Sequence, residues 1–400
     1  MKKAFFLAAA ALLAAMLSFA RADSIPGDLT VIDHEQMCGQ VTEIVQLNDG
    51  MLVIGASEYE DNGWMANLRS DGSVRWVLAE EGNGSFRCAK GLGDGGFSAL
   101  IKRNATHDYL GNQTGSDETL LAFISSEGTI TQTQFLSPYT EWMIPYEDGY
   151  YLIGNSYDQT AGPHEEEAPQ ATLTRLDKAG KNLWSLIYSN PAYSDMTFHK
   201  GAAAADSLVI IGSGFAEDGS YVGLIHHIGP DGQVLWNMEA RSYQQAFIHD
   251  VCVTSGGIIS GCYAGVSFDE EMGFPESRSG FIFCMTMDGR LLWEHALEKH
   301  LSADYIVPMT NGFLVGSRGL DLENCPNLGN GWLLFLDESG NAMKTEGVPY
   351  IGGGVLELMG MAKAQENEVL LYGATLEEPG FPDTPFITRL DFLHDYQESE

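Results

Sequence analysis

The chain has 400 residues, of which 55 are Asp or Glu and 21 are Lys or Arg, so its formal net charge is −34. Hydrophobic residues make up 44% of the sequence, which is enough for a large core and excludes a wholly disordered chain. Binding to nucleic acid or to anionic lipid requires a surface rich in Lys and Arg, so the acidic composition argues against both.

The first 22 residues have the organisation of a secretory signal peptide. Lys2 and Lys3 precede an apolar run, and Ala20-Arg21-Ala22 fits a small-x-small cleavage site. A membrane anchor is the alternative, but the run is barely long enough to cross a bilayer. We therefore predict a signal peptide over 1–22 and a secreted or periplasmic mature chain that does not insert into the membrane.

A segment of about 50 residues recurs along the rest of the chain, which is typical of a repeat architecture. Each copy has a turn glycine with an apolar residue four positions before it. The turn glycines are Gly72, Gly128, Gly180, Gly232, Gly289 and Gly340, at spacings of 51 to 57 residues. Four positions after four of them stands a tryptophan that we expect to fill the space between repeats: Trp76, Trp184, Trp236 and Trp293.

A second glycine column interleaves with the first. It stands in segments such as LVIGAS (52–57), which follow tight turns such as Asn48-Asp49-Gly50. Asn-Gly and Asp-Gly favour hairpin turns, so each copy is predicted to read strand, turn, strand, variable loop, strand, turn, strand. We expect this column to let the second strand of one repeat lie close to its neighbour. Its members are Gly55, Gly154, Gly212, Gly261, Gly316 and Gly373.

Four short antiparallel strands in about 50 residues are typical of one blade of a β-propeller. The sequence therefore predicts an all-β fold, a seven-bladed β-propeller that forms a single domain over 23–400. The last repeat runs out at FLHDYQESE without a fourth strand, and residues 28–34 precede the first repeat without a partner. We predict that this N-terminal strand closes the last blade as its outermost strand, which removes an exposed sheet edge.

The turn elements LRSDGSVRW (68–76), IGPDGQVLW (228–236) and MTMDGRLLW (285–293) resemble the repeat of pyrroloquinoline-quinone-like propellers, the quinoprotein alcohol dehydrogenase-like superfamily. That group includes enzymes and non-enzymatic scaffolds such as BamB-type envelope proteins. The enzymes hold quinone and calcium at a site with a vicinal disulfide. This chain has no adjacent Cys pair, so the resemblance implies a non-enzymatic member.

The loops between second and third strands are the candidate binding surface, since long loops on a rigid scaffold commonly carry binding residues. They hold 21 acidic residues and one basic residue, Arg278. The pattern favours a cation-binding surface or a dock for a basic partner, with a solubilising rim as the alternative. The candidate binding residues are Glu60, Asp61, Asp108, Asp117, Glu166, Asp218, Asp269, Glu270, Asp321, Glu323 and Glu378.

Catalytic and metal motifs are mostly absent from the sequence. It contains no HExxH, GxSxG or P-loop, and His226-His227 lies in a strand, so its two side chains should point to opposite faces. The acidic runs 165–167 and 269–271 lack the alternating spacing of a calcium loop. No cofactor is predicted, and calcium stays open. The six Cys residues permit 15 disulfide pairings, and none has CxxC spacing.

The leading hypothesis is an exported, monomeric, non-catalytic propeller that serves as a binding or scaffold module through its acidic loop face. Its partner is predicted to be a protein or a small-molecule ligand, with a cation as one option. One alternative is a carbohydrate-active enzyme that uses loop carboxylates; it requires two carboxyl groups about 5–10 Å apart near the axis, one of them with a raised pKa. The other is a BamB-like envelope-assembly scaffold.

Overall fold

A computed structural model describes residues 29–31, 37, 39–56, 63–80, 84–93, 95–104, 117–146, 149–156, 169–240, 245–254, 257–268, 275–297, 302–317, 331–347, 355–365, 368–376 and 384–391. Every regular element among them is a β-strand. The predicted signal peptide lies outside the described residues. Within them, no helix has the length and apolar character that crossing a membrane requires.

The strands follow one another in groups of four, which we number as units 1 to 7 in chain order. In units 1 to 3 they are β2 (Gln40–Leu47), β3 (Gly50–Ala56), β4 (Gly63–Arg69), β5 (Val74–Ala79), β6 (Gly84–Gly91), β7 (Phe97–Arg103), β8 (Glu118–Ile124), β9 (Ile130–Leu136), β10 (Thr140–Tyr146), β11 (Gly149–Ser156), β12 (Gln170–Asp177) and β13 (Asn182–Tyr188).

Units 4 to 6 repeat the arrangement, and unit 7 takes its fourth strand from the start of the chain. Their strands are β14 (Tyr193–Ala204), β15 (Ser207–Ala216), β16 (Tyr221–Ile228), β17 (Val234–Ala240), β18 (Gln245–Val253), β19 (Ile258–Phe268), β20 (Pro275–Thr286), β21 (Leu291–Ala296), β22 (Tyr305–Met309), β23 (Gly312–Ser317), β24 (Trp332–Asp337), β25 (Ala342–Gly347), β26 (Val355–Gln365), β27 (Glu368–Leu376), β28 (Thr384–Asp391) and β1 (Leu29–Val31).

Each unit is an antiparallel sheet in which consecutive strands are neighbours. Units 4 and 5 are joined into one eight-stranded sheet by a single parallel pair, Tyr221 and Gln245. In unit 7 the order is β26-β27-β28-β1, with Leu29 opposite Thr388 and Val31 opposite Phe386. The pairing of the N-terminal strand with the last sheet, predicted from the sequence, is therefore present.

Apolar contacts connect the described units in a cycle. The first strand of each unit contacts the first strand of the next, and β26 of unit 7 contacts β2 of unit 1. Seven clusters of buried apolar residues each span two consecutive units, including units 7 and 1. A four-stranded sheet cannot cover its own two faces, so each unit depends on a neighbour at either side.

The predicted turn glycines share one backbone conformation. All six have φ between +80° and +83°, which a side chain would disfavour. In the first of these turns, the Gly72 N–H donates to the carbonyl of Arg69 at 2.9 Å. Local turn chemistry therefore sets the third-to-fourth-strand hairpins.

The four column tryptophans lie in the seams between units, as the sequence predicts. In three of them the indole N–H donates to a carbonyl two residues before the turn glycine of the next unit. For Trp76, Trp236 and Trp293 the acceptors are Ser126, Met287 and Glu338, at 2.8, 2.8 and 3.2 Å. The Trp184 ring would lie 3.1 Å from a Cβ on Gly232.

The expectation for the second glycine column is wrong at most of its described positions. A Cβ on Gly154 or Gly212 would lie 2.2 or 1.9 Å from a carbonyl oxygen of its own unit, that of Tyr139 or Thr197. These carbonyls lie beside a β-bulge of the first strand, which brings its backbone close to the second strand. At Gly316 the near neighbours are Met361 and Leu358 of the next unit.

We expect the tryptophans in the seams to stabilise the fold more than an exposed residue at the same position of the repeat. Trp236→Ala removes ring packing and a hydrogen bond between units 4 and 5, so we expect the free energy of unfolding to fall by about 2–3 kcal/mol. Denaturant unfolding measures the change. Gln132→Ala, at the same column position but exposed, is the matched control and should change stability by less than about 0.5 kcal/mol. Equal losses in both variants would contradict the packing role of the tryptophan.

Candidate functional site

The first strands, which contact one another from unit to unit, carry a recurring irregularity. Six of the seven described first strands contain a β-bulge, an extra residue inserted opposite the second strand. Bulges redirect side chains and are common near functional sites. The residues at these insertions are Thr42, Arg87, Glu141, His199, His249 and Met359.

The residues that follow four of these insertions form a polar cluster with Tyr372, which we call the axial cluster: Glu43, Cys88, Lys200, Asp250 and Tyr372. Lys200 Nζ lies 2.8 Å from Asp250 Oδ1 in an ion pair between units 4 and 5. The ammonium also acts electrostatically on Glu43 of unit 1. The side chain of Lys200 therefore interacts with carboxyl groups from two other units.

Two members of the axial cluster also bind backbone of the following unit. Asp250 Oδ2 accepts a hydrogen bond from the Ile306 N–H of unit 6 at 3.1 Å. Cys88 Sγ accepts one from the Met143 N–H of unit 3 at 3.2 Å. These contacts tie neighbouring first strands together, so part of the cluster has a structural role.

The titration of Glu43 is strongly altered by its surroundings. Burial raises its pKa to about 8, although Lys200 and a hydrogen bond from the Ala89 backbone act in the opposite direction. Its Oε2 atom is buried without a hydrogen-bond partner among the described residues. At neutral pH the carboxyl group is therefore mainly protonated and can donate a proton.

Lys200 and Tyr372 titrate as parts of the same cluster. Burial lowers the pKa of Lys200, but the carboxylates of Asp250 and Glu43 outweigh it and leave the pKa above its ordinary value. Burial, and then the charge of Glu43, raises the pKa of Tyr372. The Tyr372 ring occupies the space where a Cβ on Gly360 would stand, 2.3 Å away. The last bulged strand therefore needs glycine beside this ring.

The structure describes only two of the eleven predicted acidic loop residues, and both are exposed. Asp117 immediately precedes β8. Asp218 lies in the turn before β16, where its Oδ1 accepts hydrogen bonds from the Ser220 N–H at 3.0 Å and Oγ at 2.6 Å. That carboxylate stabilises its own turn. The others lie outside the described residues: Glu60, Asp61, Asp108, Glu166, Asp269, Glu270, Asp321, Glu323 and Glu378.

Histidines and cysteines are the residues that the sequence offered as possible metal or catalytic groups, and in the fold the rings of His226 and His227 pack against aromatic side chains. His226 packs edge-on against Phe198, whereas His227 lies beside Trp236, so the two rings point to opposite faces as predicted. Within the described part of the chain, no group of three His, Cys, Asp or Glu residues is placed to hold a metal ion. The thiols of Cys88, Cys252, Cys262 and Cys284 are unpaired by disulfides. The other two Cys lie outside the described residues.

Sequence reasoning missed the axial cluster. Glu43, Lys200 and Asp250 stand in first strands, but more than 150 residues separate the first from the second. The available signal was a charged residue inside a strand whose neighbours are apolar, such as Asp250 between Ile248 and Val251.

No protein-family model matches this chain, and no curated protein matches it in sequence. Solved structures match in fold. A polysaccharide lyase, Uly1, is 8% identical with a TM-score of 0.58, over 94% of each chain. Prolyl oligopeptidase B from Galerina marginata is 10% identical with a TM-score of 0.53, over 91% of this chain and 50% of the other. BBS1N, solved in complex with ARL6DN, is 9% identical with a TM-score of 0.50, over 93% and 99%. These likenesses support an all-β, propeller-like fold and nothing finer.

Glu43 should make stability depend on pH. The pKa of Glu43 is about 8 in the folded chain and near 4.5 in the unfolded chain. The contribution of Glu43 to the free energy of unfolding is therefore complete below pH 4.5 and is lost as the pH rises through 8. Glu43→Gln mimics the protonated carboxyl. We expect the two proteins to be equally stable near pH 5 and the wild type to lose on the order of 3 kcal/mol relative to the variant by pH 9. Denaturant unfolding at each pH measures this difference in stability. A difference between wild type and variant that stays constant from pH 5 to pH 9 would contradict the raised pKa of Glu43.

Proposed function

We propose that this chain is an exported seven-bladed β-propeller, related to the pyrroloquinoline-quinone-like group, that acts as a binding module through its acidic loop face. The four-strand units, their cycle of contacts and the fold likenesses support the propeller. The signal-peptide pattern of residues 1–22 supports export to the periplasm or the medium.

The observation that carries the binding role is that units 1 and 2 run in the same direction. At one end of the ring, a Cβ on Gly63 at the start of β4 would lie 2.5 Å from the Cα of Ser85 near the start of β6. At the other end, a Cβ on Gly91, which ends β6, would lie 3.3 Å from Leu47, which ends β2. If all units follow this direction, every connection between a second and a third strand emerges at the same end.

By the bounds of the strands, those connections contain 19 acidic residues and one basic residue, Arg318, so we expect a strong negative field where they emerge. A surface of one sign raises the local concentration of oppositely charged ligands and speeds their association. The partner that fits is a basic protein segment or a polycationic ligand. The engagement of Asp250 and Cys88 in contacts between units supports a scaffold role for the inner strands.

Charge neutralisation in one loop tests this role. We expect the triple variant Asp269→Asn, Glu270→Gln, Glu271→Gln to weaken binding of an oligolysine probe severalfold at low salt, measured by calorimetry. The matched control removes three charges from exposed turns at the opposite end: Glu127→Gln, Asp231→Asn and Glu338→Gln. If the two triple variants weaken binding of the probe equally, the affinity depends only on the net charge of the protein, and the loop face is not the binding site.

A second candidate function is supported by Glu43. A carboxyl group that is protonated at neutral pH can act as a general acid, and a second carboxyl group, that of Asp250, pairs with Lys200. The fold likeness to a polysaccharide lyase directs this candidate to polysaccharides. The chain would then be a carbohydrate-active enzyme with its acid at the axis.

Activity against a panel of neutral and uronate-containing polysaccharides tests the second candidate. If it holds, the wild type releases reducing ends or unsaturated products, and Glu43→Gln lowers kcat at least 100-fold while remaining folded. Glu127→Gln, on an exposed turn, should retain full activity. A panel without turnover by the wild type would remove this candidate.

A further inference from the structure

The bulge in the first strand of unit 4 lies beside a hydrogen-bonded histidine and serine. His199 is the residue that the bulge inserts between the paired residues Phe198 and Lys200. Its Nε2 atom lies 3.1 Å from the Oγ atom of Ser213 on β15. Bulges change the direction of side chains and are common near functional sites. Here the irregularity coincides with a base in contact with a hydroxyl group.

The hydrogen bonds around Ser213 leave its proton available to that base. Thr197 stands directly opposite Ser213, with the two Oγ atoms 3.0 Å apart. A hydroxyl group has one proton to donate and can accept two hydrogen bonds. When Thr197 donates to Ser213, the Ser213 proton is directed at Nε2 of His199. A nucleophile and a base within about 2.6–3.2 Å of each other are the signature of an activated serine.

The surroundings of His199 keep its ring neutral and accessible. Burial lowers the pKa of His199, and the charge of Glu141 in unit 3 acts in the opposite direction without cancelling it. The ring is therefore mainly uncharged at neutral pH and can accept a proton. Its side chain is nonetheless exposed, and Ser213 is half-buried. A group that water reaches while protein surrounds it lies in the wall of a recess, where a small substrate can approach.

Glu141 supplies a negative charge beside the ring. It is the residue inserted by the bulge of unit 3, the position that His199 occupies in unit 4. Its Oε1 atom accepts a hydrogen bond from Lys102 Nζ of unit 2 at 2.8 Å, which holds the carboxylate in place. A carboxylate near a catalytic histidine stabilises the positive charge that the ring acquires with the proton. Glu141 is therefore a positioning residue in this arrangement.

Unit 6 provides an internal comparison. Ser317 follows Gly316 as Ser213 follows Gly212, so the two serines occupy the same position of the repeat. The described pairs of β22 with β23 run without a bulge, so no inserted residue reaches Ser317 from β22. Its hydroxyl is buried and bonds to Asp304 Oδ2 at 3.2 Å. That serine has a structural role, whereas Ser213 is accessible and bonded to an imidazole.

We propose that Ser213 is the nucleophile of an esterase site, with His199 as its general base and small carboxylic esters as the substrate class. Ser213 Oγ bonds to the carbonyl carbon while its proton passes to Nε2 of His199. The bond to the alcohol oxygen then breaks, the alcohol leaves with that proton, and an acyl-serine remains. Water then bonds to the acyl carbon, gives a proton through Nε2 to Ser213 Oγ, and releases the carboxylic acid.

This activity goes beyond the proposed binding role and uses other residues. It involves neither Glu43 nor the acidic connections. The connection that follows β15 has only the four residues 217–220 between strands. Loss of the esterase activity would therefore leave oligolysine binding and the candidate at Glu43 as they stand.

A fluorophosphonate probe tests the nucleophile in the intact protein. Ser213 Oγ should displace fluoride from phosphorus, and mass spectrometry of the peptides should place one adduct on Ser213. The protein should also hydrolyse p-nitrophenyl acetate with an initial burst of nitrophenolate, since the acyl-serine accumulates. Absence of the adduct, or an adduct confined to other serines, would overturn the proposal.

Variants separate the roles of the three residues. Ser213→Ala should abolish labelling, and His199→Gln should slow it at least about 100-fold. Glu141→Gln should slow it severalfold, whereas Glu141→Asp keeps the charge and should recover most of the rate. Ser194→Ala is the matched control, because Ser194 is an exposed serine of β14 whose hydroxyl bonds to the Phe215 carbonyl. Equal labelling of wild type and His199→Gln would show that the imidazole does not activate Ser213.

A cysteine variant keeps the test decisive if Ser213→Ala does not fold. Ser213→Cys retains a small group that can bond to His199, and a thiolate is the better nucleophile. Its reaction with iodoacetamide at position 213 should be at least tenfold faster than in the double variant Ser213→Cys, His199→Gln. Equal rates in the single and double variants would overturn the assignment of His199 as the base.

Discussion

The structure depends on covering both faces of every sheet. The second strands show the requirement most clearly, since in β3 and β23 nearly every residue is buried. Such a strand is stable only when another unit packs on each side. The cycle of seven apolar clusters meets this condition for all the described units, and β1 joins the last of them to the start of the chain.

The same stacking creates the axial cluster. Packing units side by side brings their first strands together, and a bulge in six of the seven described first strands gives room for an additional side chain. Burying an ion pair costs solvation that its mutual attraction must offset. Lys200 meets that condition with Asp250, while Glu43 avoids the cost by holding its proton. The ionisation of the axis is therefore a consequence of packing.

Closure also makes one seam unlike the others. Most fourth strands continue directly from a turn and carry a side chain into the next unit; even between units 2 and 3, which lack the column tryptophan, Gln134 and Leu121 lie against Gly180. The fourth strand of unit 7 comes instead from the other end of the chain and has three residues. A cavity of about 240 Å³, lined in part by Met51, Leu68, Leu370 and Ile387, lies in this seam.

The sequence by itself determined the strand order, the hairpins and the seam tryptophans, because each rests on residues a few positions apart. The turn at Gly72 requires glycine, and Trp76 follows four residues later. The sequence also indicated that the N-terminal strand joins the last sheet, since both were left without partners. Only the tertiary structure decided which charges meet at the axis. Glu43, Lys200 and Asp250 come from three units, and their pKa values depend on burial and on distances that no local pattern encodes. The reason for the second glycine column was tertiary as well. Within the same unit, a carbonyl beside a bulge occupies the space of the missing side chain at Gly154 and Gly212, and a third-strand ring occupies it at Gly55 and Gly261.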